Sequence, residues 1–97
     1  MKKVIDGLLY DTDTALDIAW KMKQGFKLFE LSENCEDLFI THKGNFFFYT
    51  WSDRIWLFGR ETKEDIRKAS FEEARQFTLE HNPDAYYDFF ERNVERD

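Results

Sequence analysis

The clearest chemical pattern in the sequence is a row of carboxylates near its end. Four acids there are spaced by 4, 3 and 4 residues, so a helix projects all of them from one side, opposite Tyr86, Phe90 and Val94. Like charges at this spacing repel by roughly 0.2–0.5 kcal/mol per pair, a cost that folding does not require. The row is either a solvated face that maintains solubility or an acidic surface that occupies a groove meant for nucleic acid. The four acids are Asp84, Asp88, Glu91 and Glu95, and Glu72, Glu73 and Glu80 extend the row on the preceding predicted helix.

Three other acids, Asp11, Asp13 and Asp17, invite comparison with a calcium-binding loop. If Asp11 takes the first position, the sixth is Leu16, where the loop requires glycine, and the twelfth is Met22, where it requires a bidentate glutamate. The template fails at both positions. We therefore interpret this stretch as a turn and expect no metal site.

Cys35, His42 and His81 are the remaining candidates for metal or nucleophilic chemistry. No second cysteine or closely spaced histidine completes a zinc site. The acids within residues 33–37 are expected to raise the pKa of the Cys35 thiol and suppress the reactive thiolate. The sequence also has no glycine-rich phosphate loop and no hydrolase motif. We predict that the protein is not an enzyme and uses no cofactor.

Length and charge restrict the class of protein further. A chain of 97 residues fits one domain, residues 1–97. Its net charge of −6 is uneven, because residues 1–69 hold 12 acids and 11 bases (net −1) and residues 70–97 hold 8 acids and 3 bases (net −5). We expect no direct nucleic-acid binding, since phosphate contacts need clustered Lys and Arg. A basic protein is the expected partner.

Cysteine count and hydropathy bear on location. Cys35 is the single cysteine, so no intramolecular disulfide can form. The sequence shows no secretory signal and no run of about 18 apolar residues. We expect a cytoplasmic protein that does not enter a membrane.

Aromatic residues indicate the strands that must position the acidic and other candidate side chains. Residues 38–51 are typical of a β-hairpin that turns at residues 43–45, where Gly44 and Asn45 tolerate positive φ. In the second arm, residues 46, 48 and 50 point to one face and residues 47, 49 and 51 to the other, so both faces carry aromatic rings. This pattern indicates a central strand.

The remaining strands are predicted from turn residues and alternation. Asp6 and Gly7 predict a first hairpin over residues 2–10. Residues 15–23 fit a strand, which we favour for its alternation, or a helix capped by Thr14. After a break at Gly25 we predict a strand at 26–31, a polar loop at 32–37, a turn at 52–54, a short strand at 55–58, a charged loop at 60–65 and a last edge strand at 66–68.

Two helices are predicted after residue 69. Ser70 and Glu73 match a capping box for a helix that ends near His81, and Asn82 restarts a second helix. We predict an α+β fold: an antiparallel β-meander of about five or six strands over residues 1–69, followed by a helical pair over residues 70–97 that packs on one face. Aromatic side chains on the other face are then expected to stay exposed as a homodimer interface. The candidates for that interface are Trp20, Tyr49, Trp51 and Trp56.

Three blocks resemble short proteins of phages and conjugative elements of bacteria. Residues 2–15, KKVIDGLLYDTDTA, are similar to the lysine-rich opening of these proteins, with its V/I-I-N/D-G-x-x-Y-D-T-x-T-A pattern. Residues 38–49, LFITHKGNFFFY, resemble their L-Y-x-T-K-K-G-N-x-F-L-Y block with His42 in place of a lysine, and residues 70–90 resemble their helical ending. A glycine-rich segment expected after the hairpin is replaced by residues 51–54. The resemblance implies a mobile-element context, in which proteins of this size and acidity include anti-CRISPR and other anti-defence inhibitors.

Two functions remain open at this point. The first is a non-enzymatic inhibitor in the bacterial host cell that binds a basic nucleic-acid-processing protein through the acidic row. A CRISPR effector is the most natural target, because its channels are lined by Lys and Arg. The second is a homo-oligomeric structural or accessory protein of the mobile element, joined through sheet aromatics, in which the acids only maintain solubility.

Overall fold

The computed structural model describes residues 1–90 and has the predicted α+β architecture. Its strands form antiparallel hairpins in chain order and two helices follow, so the fold class is confirmed. The elements are β1 (Lys2–Ile5), β2 (Leu8–Asp11), β3 (Leu16–Lys27), β4 (Glu30–Ile40), β5 (Phe46–Trp56), β6 (Gly59–Lys68), α1 (Phe71–His81) and α2 (Pro83–Phe90). β1 and β2 form a separate two-stranded sheet, and β3 to β6 form a four-stranded meander.

Turn chemistry fixes two hairpins as predicted. Asp6 and Gly7 turn β1 into β2 with φ values of 51° and 79°, as a type I′ turn requires. Gly44, with a φ of 86°, lies in the turn between β4 and β5. Residues 16–23 belong to β3, so the strand interpretation of the ambiguous segment is confirmed and the helix interpretation is wrong.

The strands of the four-stranded sheet run further than predicted. Gly25 lies inside β3 and does not separate two strands. The predicted polar loop at 32–37 belongs to β4, the predicted turn at 52–54 to β5 and the predicted charged loop at 60–65 to β6. The predicted strands at 26–31 and 55–58 are each interrupted by a turn, at residues 28–29 and 57–58.

Backbone pairing explains why these polar segments are strands. Asn34, for example, pairs with Lys23 on one side and with Ser52 on the other. Cross-strand hydrogen bonds satisfy the backbone of such a segment, while its polar side chains remain in water. A loop was therefore the wrong inference from polar composition alone.

Two small cores cover opposite faces of one end of the sheet. On one face, here the helix face, Phe48 meets Phe77 of α1 with ring centres 5.0 Å apart. On the other, the hairpin face, Phe47 packs between Tyr10 of β2 at 5.4 Å and Phe39 at 5.2 Å. Phe47 and Phe48 are buried on opposite faces, which confirms the predicted central strand and the packing of the helices on one face.

The other end of the sheet, here the distal half, comprises residues 20–37 and 50–65. Neither core within the described part of the chain includes a residue of the distal half. Residues 20–29 are exposed without exception. The molecule is accordingly elongated, with extents of 55 × 36 × 19 Å.

Candidate protein-binding surface

Strand register sorts the side chains of the distal half onto two faces of different character. Directly paired residues point to the same side of a sheet, so the hairpin face of Tyr49 also carries Asp37 and Trp20. Farther out, the same face carries a row of three apolar residues from β3, β4 and β5. The exposed apolar side chains of this face, here the apolar sheet face, are Trp20, Met22, Phe26, Leu31 and Ile55, with exposed fractions of 57%, 47%, 78%, 53% and 43%.

The helix face of the distal half is polar. Lys21, Lys23 and Lys27 project from β3 on this side, opposite acidic or amide side chains such as Glu36 and Asn34. Both faces of the distal half meet water. On the hairpin face, a polar row separates Met22 from the outermost apolar row, and its residues are Gln24, Glu33, Asp53 and Thr62. The apolar sheet face has the composition of a surface that contacts another molecule.

Carboxylates border the apolar sheet face at the end nearest the cores. Burial and the neighbouring Asp37 carboxylate raise the pKa of Asp17 to about 6. Burial also raises the pKa of Asp37, although a hydrogen bond from Cys35 partly opposes this. The pKa of the Cys35 thiol is raised by burial and by Asp37, whose Oδ1 lies 3.7 Å from Sγ. Burial is the main cause of the raised pKa at Asp17, Asp37 and Cys35, and neighbouring negative charge adds to it at Asp17 and Cys35.

Tyr49 and Glu64 continue this border onto β5 and β6. The Tyr49 hydroxyl donates a hydrogen bond of 2.7 Å to Glu64 Oε2, and burial together with this bond raises the pKa of Tyr49 to about 12. Within residues 1–90, Asp17, Asp37 and Glu64 form no ion pair with Lys or Arg. These three carboxylates, here the acidic border, present charge that the described chain does not neutralise.

The acids predicted on the first helix are occupied by contacts within the chain. Glu72 pairs with Arg75. Glu73 accepts a hydrogen bond from the Ser70 N–H and lies 3.0 Å from Arg67 Nη1. These contacts lower the pKa of both glutamates. Glu72 and Glu73 therefore stabilise the start of α1, and their charges are compensated locally.

Three of the other predicted acids lie within the described residues. Glu80 accepts a hydrogen bond from Gln76 on the exposed side of α1. Asp84 and Asp88 lie exposed on α2. Glu91 and Glu95 fall outside the described residues. The structure therefore describes only part of the predicted acidic row.

Three of the four aromatics predicted as an oligomer interface share one face. Trp20, Tyr49 and Trp51 lie on the hairpin face. Trp56 lies on the helix face, where the guanidinium of Arg54 stacks over its ring at 4.7 Å. Of the four, Trp20 is exposed and the others are partly buried. Only Trp20 is fully available to a partner.

Sequence reasoning missed the surface residues that only the strand register brings together. They are Met22, Phe26, Leu31 and Ile55 on the apolar sheet face, and Asp37 and Glu64 in the acidic border. The loops assigned at 32–37 and 52–54 hid the strands that align them. A signal was present, because three of the four even-numbered positions from 20 to 26 are large and apolar, and this alternation continues through the break assigned at Gly25.

Comparison with known proteins adds no relative, because no protein-family model, curated protein or solved structure matches the sequence.

No helix of residues 1–90 is long and apolar enough to cross a membrane. The same residues contain no group of three or more His, Cys, Asp or Glu side chains placed to hold a metal ion. Fold and surface together define a small α+β protein with an exposed apolar sheet face and an acidic border.

Proposed function

We propose that the protein is a non-enzymatic binding protein that attaches to a basic protein partner through the acidic border and the adjacent part of the apolar sheet face. One observation carries this proposal: exposed Trp20 and Met22 lie on the same face as Asp37 and Glu64, whose charges no Lys or Arg within residues 1–90 neutralises. A partner that combines apolar and cationic side chains satisfies both halves of this surface.

The physical chemistry favours a basic partner over a neutral one. A Lys or Arg side chain placed over the Trp20 ring gains about 0.5–2 kcal/mol from the cation–π interaction. The same cation reduces the repulsion between Asp17 and Asp37. A neutral partner would bury these carboxylates without compensation, at a cost of several kcal/mol per uncompensated charge.

In its more specific form, the proposal concerns inhibition in a bacterial host cell. The partner is then a nucleic-acid-processing protein, such as a CRISPR effector, whose Lys- and Arg-lined groove the protein occupies. The support is the resemblance of residues 2–15, 38–49 and 70–90 to mobile-element proteins, together with the net charge of −6. Asp84 and Asp88 offer a second acidic surface on α2, so an experiment must separate the two.

The test is a tagged pull-down from host lysate with three variants that separate the surfaces. Trp20→Ser with Asp37→Asn alters the apolar sheet face and its acidic border, and Asp84→Lys with Asp88→Lys alters α2. Lys23→Ser with Lys27→Ser is the control on the helix face. At about 50 mM salt, where exposed charges are weakly screened, we expect the wild type and the control to retain a basic protein. The affinity of the first variant for this protein is expected to fall at least about tenfold, which corresponds to a loss of about 1.4 kcal/mol in binding free energy.

Mass spectrometry then identifies the retained protein, and inhibition is measured as loss of its nucleic-acid cleavage on addition of the purified chain. Retention by the Trp20 and Asp37 variant with loss in the Asp84 and Asp88 variant would place the binding on α2 and contradict the sheet surface. If the chain binds the retained protein without reducing its cleavage activity, the chain is an adaptor and the proposal that it is an inhibitor is refuted.

A further inference from the structure

We propose that the far end of the distal half is a self-association surface that joins two copies of the chain end to end. This inference is independent of the basic partner, because it concerns other side chains. The surface combines two adjacent hairpin turns with the outermost row of the apolar sheet face, and it is here called the apolar tip. Its residues are Phe26, Leu28, Phe29, Leu31, Ile55, Leu57 and Phe58.

The turn residues at this end are not those that a hairpin requires. Residues 28–29 are Leu-Phe and residues 57–58 are again Leu-Phe, whereas two-residue hairpin turns favour Asn, Asp and Gly. Phe29 has a φ of 63°, in the left-handed region that costs such a residue about 1–2 kcal/mol. At residue 29, a solvent-exposed Asn or Gly would suit the positive φ better, so the Phe29 ring is explained by a contact and not by folding.

The four turn side chains lie together and point into solvent. Glu30 pairs with Trp56, so the two turns are neighbours at one end of the sheet. Together with Glu30, Arg54 and Trp56 of the helix face, they line a shallow groove of about 410 Å³. The exposed fractions are 80% for Leu28, 66% for Phe29, 66% for Leu57 and 90% for Phe58.

Charges around the apolar tip are largely balanced within the chain. Arg54 lies 3.6 Å from Glu30, and Arg60 holds Asp53 through two hydrogen bonds of 3.0 and 2.8 Å. Lys27, on the helix face, lies opposite the same Glu30 in the strand register but forms no ion pair within residues 1–90. Two copies that meet here therefore bring no strong like charges together, in contrast to two copies that meet at the acidic border. This charge balance favours a second copy over a strongly charged partner.

The exposed area matches what a stable dimer needs. With roughly 200 Å² for a whole phenylalanine side chain and slightly less for leucine or isoleucine, the seven side chains expose about 900 Å². The largest apolar patch on a typical monomer is about 300–600 Å². A symmetric contact between two such tips buries up to about 1,800 Å², within the range of about 1,200–2,000 Å² for stable interfaces.

The experiment measures molar mass by light scattering on the full chain, from about 2 to about 200 µM. We expect twice the chain mass of 11.8 kDa at the upper concentrations. Small-angle X-ray scattering should then give a longest dimension of roughly twice the 55 Å of one copy. A monomer at every concentration would overturn the proposal, and so would a dimer no longer than about one copy.

A variant that removes the exposed rings without disturbing the hairpin turns separates loss of the dimer from loss of the fold. Phe29→Asn with Phe58→Asn provides residues that hairpin turns accept, so circular dichroism should stay unchanged while the dimer dissociation constant rises at least about 100-fold. Leu9→Asn, at an exposed position of β2, is the matched control and should leave the mass unchanged. A dimer that survives in the double variant would refute the tip as the interface. A wild-type monomer that floats with phosphatidylcholine vesicles would assign the tip to a lipid surface and also overturn the proposal.

Discussion

The acidic border should oppose folding at neutral pH, and Asp17→Asn should reveal it. The pKa of Asp17 is raised from 3.8 to about 6 in the folded chain. A raised carboxyl pKa means that the folded state prefers the protonated group, so its stabilising contribution is present below about pH 4 and is lost as the pH rises through about 6. Asparagine has no charge to bury and keeps an oxygen for the Ala19 N–H. The variant should therefore be more stable than the wild type at pH 7 and similar to it at pH 4.

The magnitude follows from the size of the pKa shift. At 1.36 kcal/mol per pKa unit, a shift of about 2 units corresponds to about 3 kcal/mol. Because the Asp17 side chain remains accessible to water, screening reduces this value, and we expect a gain of roughly 1 kcal/mol at pH 7. Urea unfolding followed by tryptophan fluorescence measures the difference, and a slope of about 1–3 kcal/mol/M means that the midpoint should rise by about 0.3–1 M.

The control for this experiment is Asp13→Asn, which removes an exposed carboxylate outside the acidic border and should change the free energy of unfolding by less than about 0.5 kcal/mol. Only the difference between variant and wild type is informative, because Asp53 and Glu61 beside their cations have lowered pKa values and make the stability of both proteins rise with pH. If Asp17→Asn lowers the free energy of unfolding at pH 7, or changes it equally at pH 4 and pH 7, the described charge concentration is wrong.

Three further predictions concern the cores and caps, each measured by urea or thermal unfolding. Phe47→Leu keeps most of the buried volume but loses two ring contacts, so we expect a loss of about 1–3 kcal/mol, and an unchanged stability would contradict the hairpin-face core. Ser70→Ala removes the capping box of α1 and should cost about 1 kcal/mol, with Ser70→Asn nearly neutral. Gly44→Ala should cost about 1 kcal/mol through its φ of 86° alone, since no atom lies within 4 Å of the added Cβ, and Gly44→Asn should cost less. If alanine were as well tolerated as asparagine at residue 44, the assigned turn would be incorrect.

Signals confined to a few residues predicted the fold well. Asp6 and Gly7, Gly44, and the capping box of Ser70 with Glu73 were each readable because the controlling interaction is local. The aromatic alternation of residues 46–51 also predicted correctly that one strand is buried on both faces.

The distal half was not predictable from the same signals, because its strands are defined by neighbours distant in sequence. Residues 32–37 have the composition of a loop and become a strand through simultaneous pairing with β3 and β5. Leu28 and Leu57 begin turns whose apolar composition resembles a strand. The acidic border depends on the same register, which brings Asp37 and Glu64 to one face.

Glu72 and Glu73 illustrate how much of a candidate site depends on tertiary structure. The pairing of Glu72 with Arg75 follows from their spacing of three residues on one helix. The pairing of Glu73 with Arg67 joins α1 to β6 and required the fold. The predicted acidic row could not show which of its charges would remain available.

The separation of the cores from the distal half also restricts how the chain can vary in length. Beyond Lys21, whose ammonium lies 5.8 Å from the centre of the Phe77 ring, no described residue of β3 belongs to either core, so both long hairpins can be shortened past that point without repacking the interior. The changes must remove an even number of residues from each strand and must match across all four strands, because a shift by one residue moves every side chain to the opposite face. For example, deletion of one residue between Lys21 and Phe26 would move Phe26 from the hairpin face to the helix face. Insertions and deletions in these hairpins should therefore be tolerated when they add or remove an even number of residues. This requirement applies whichever residues are added or removed.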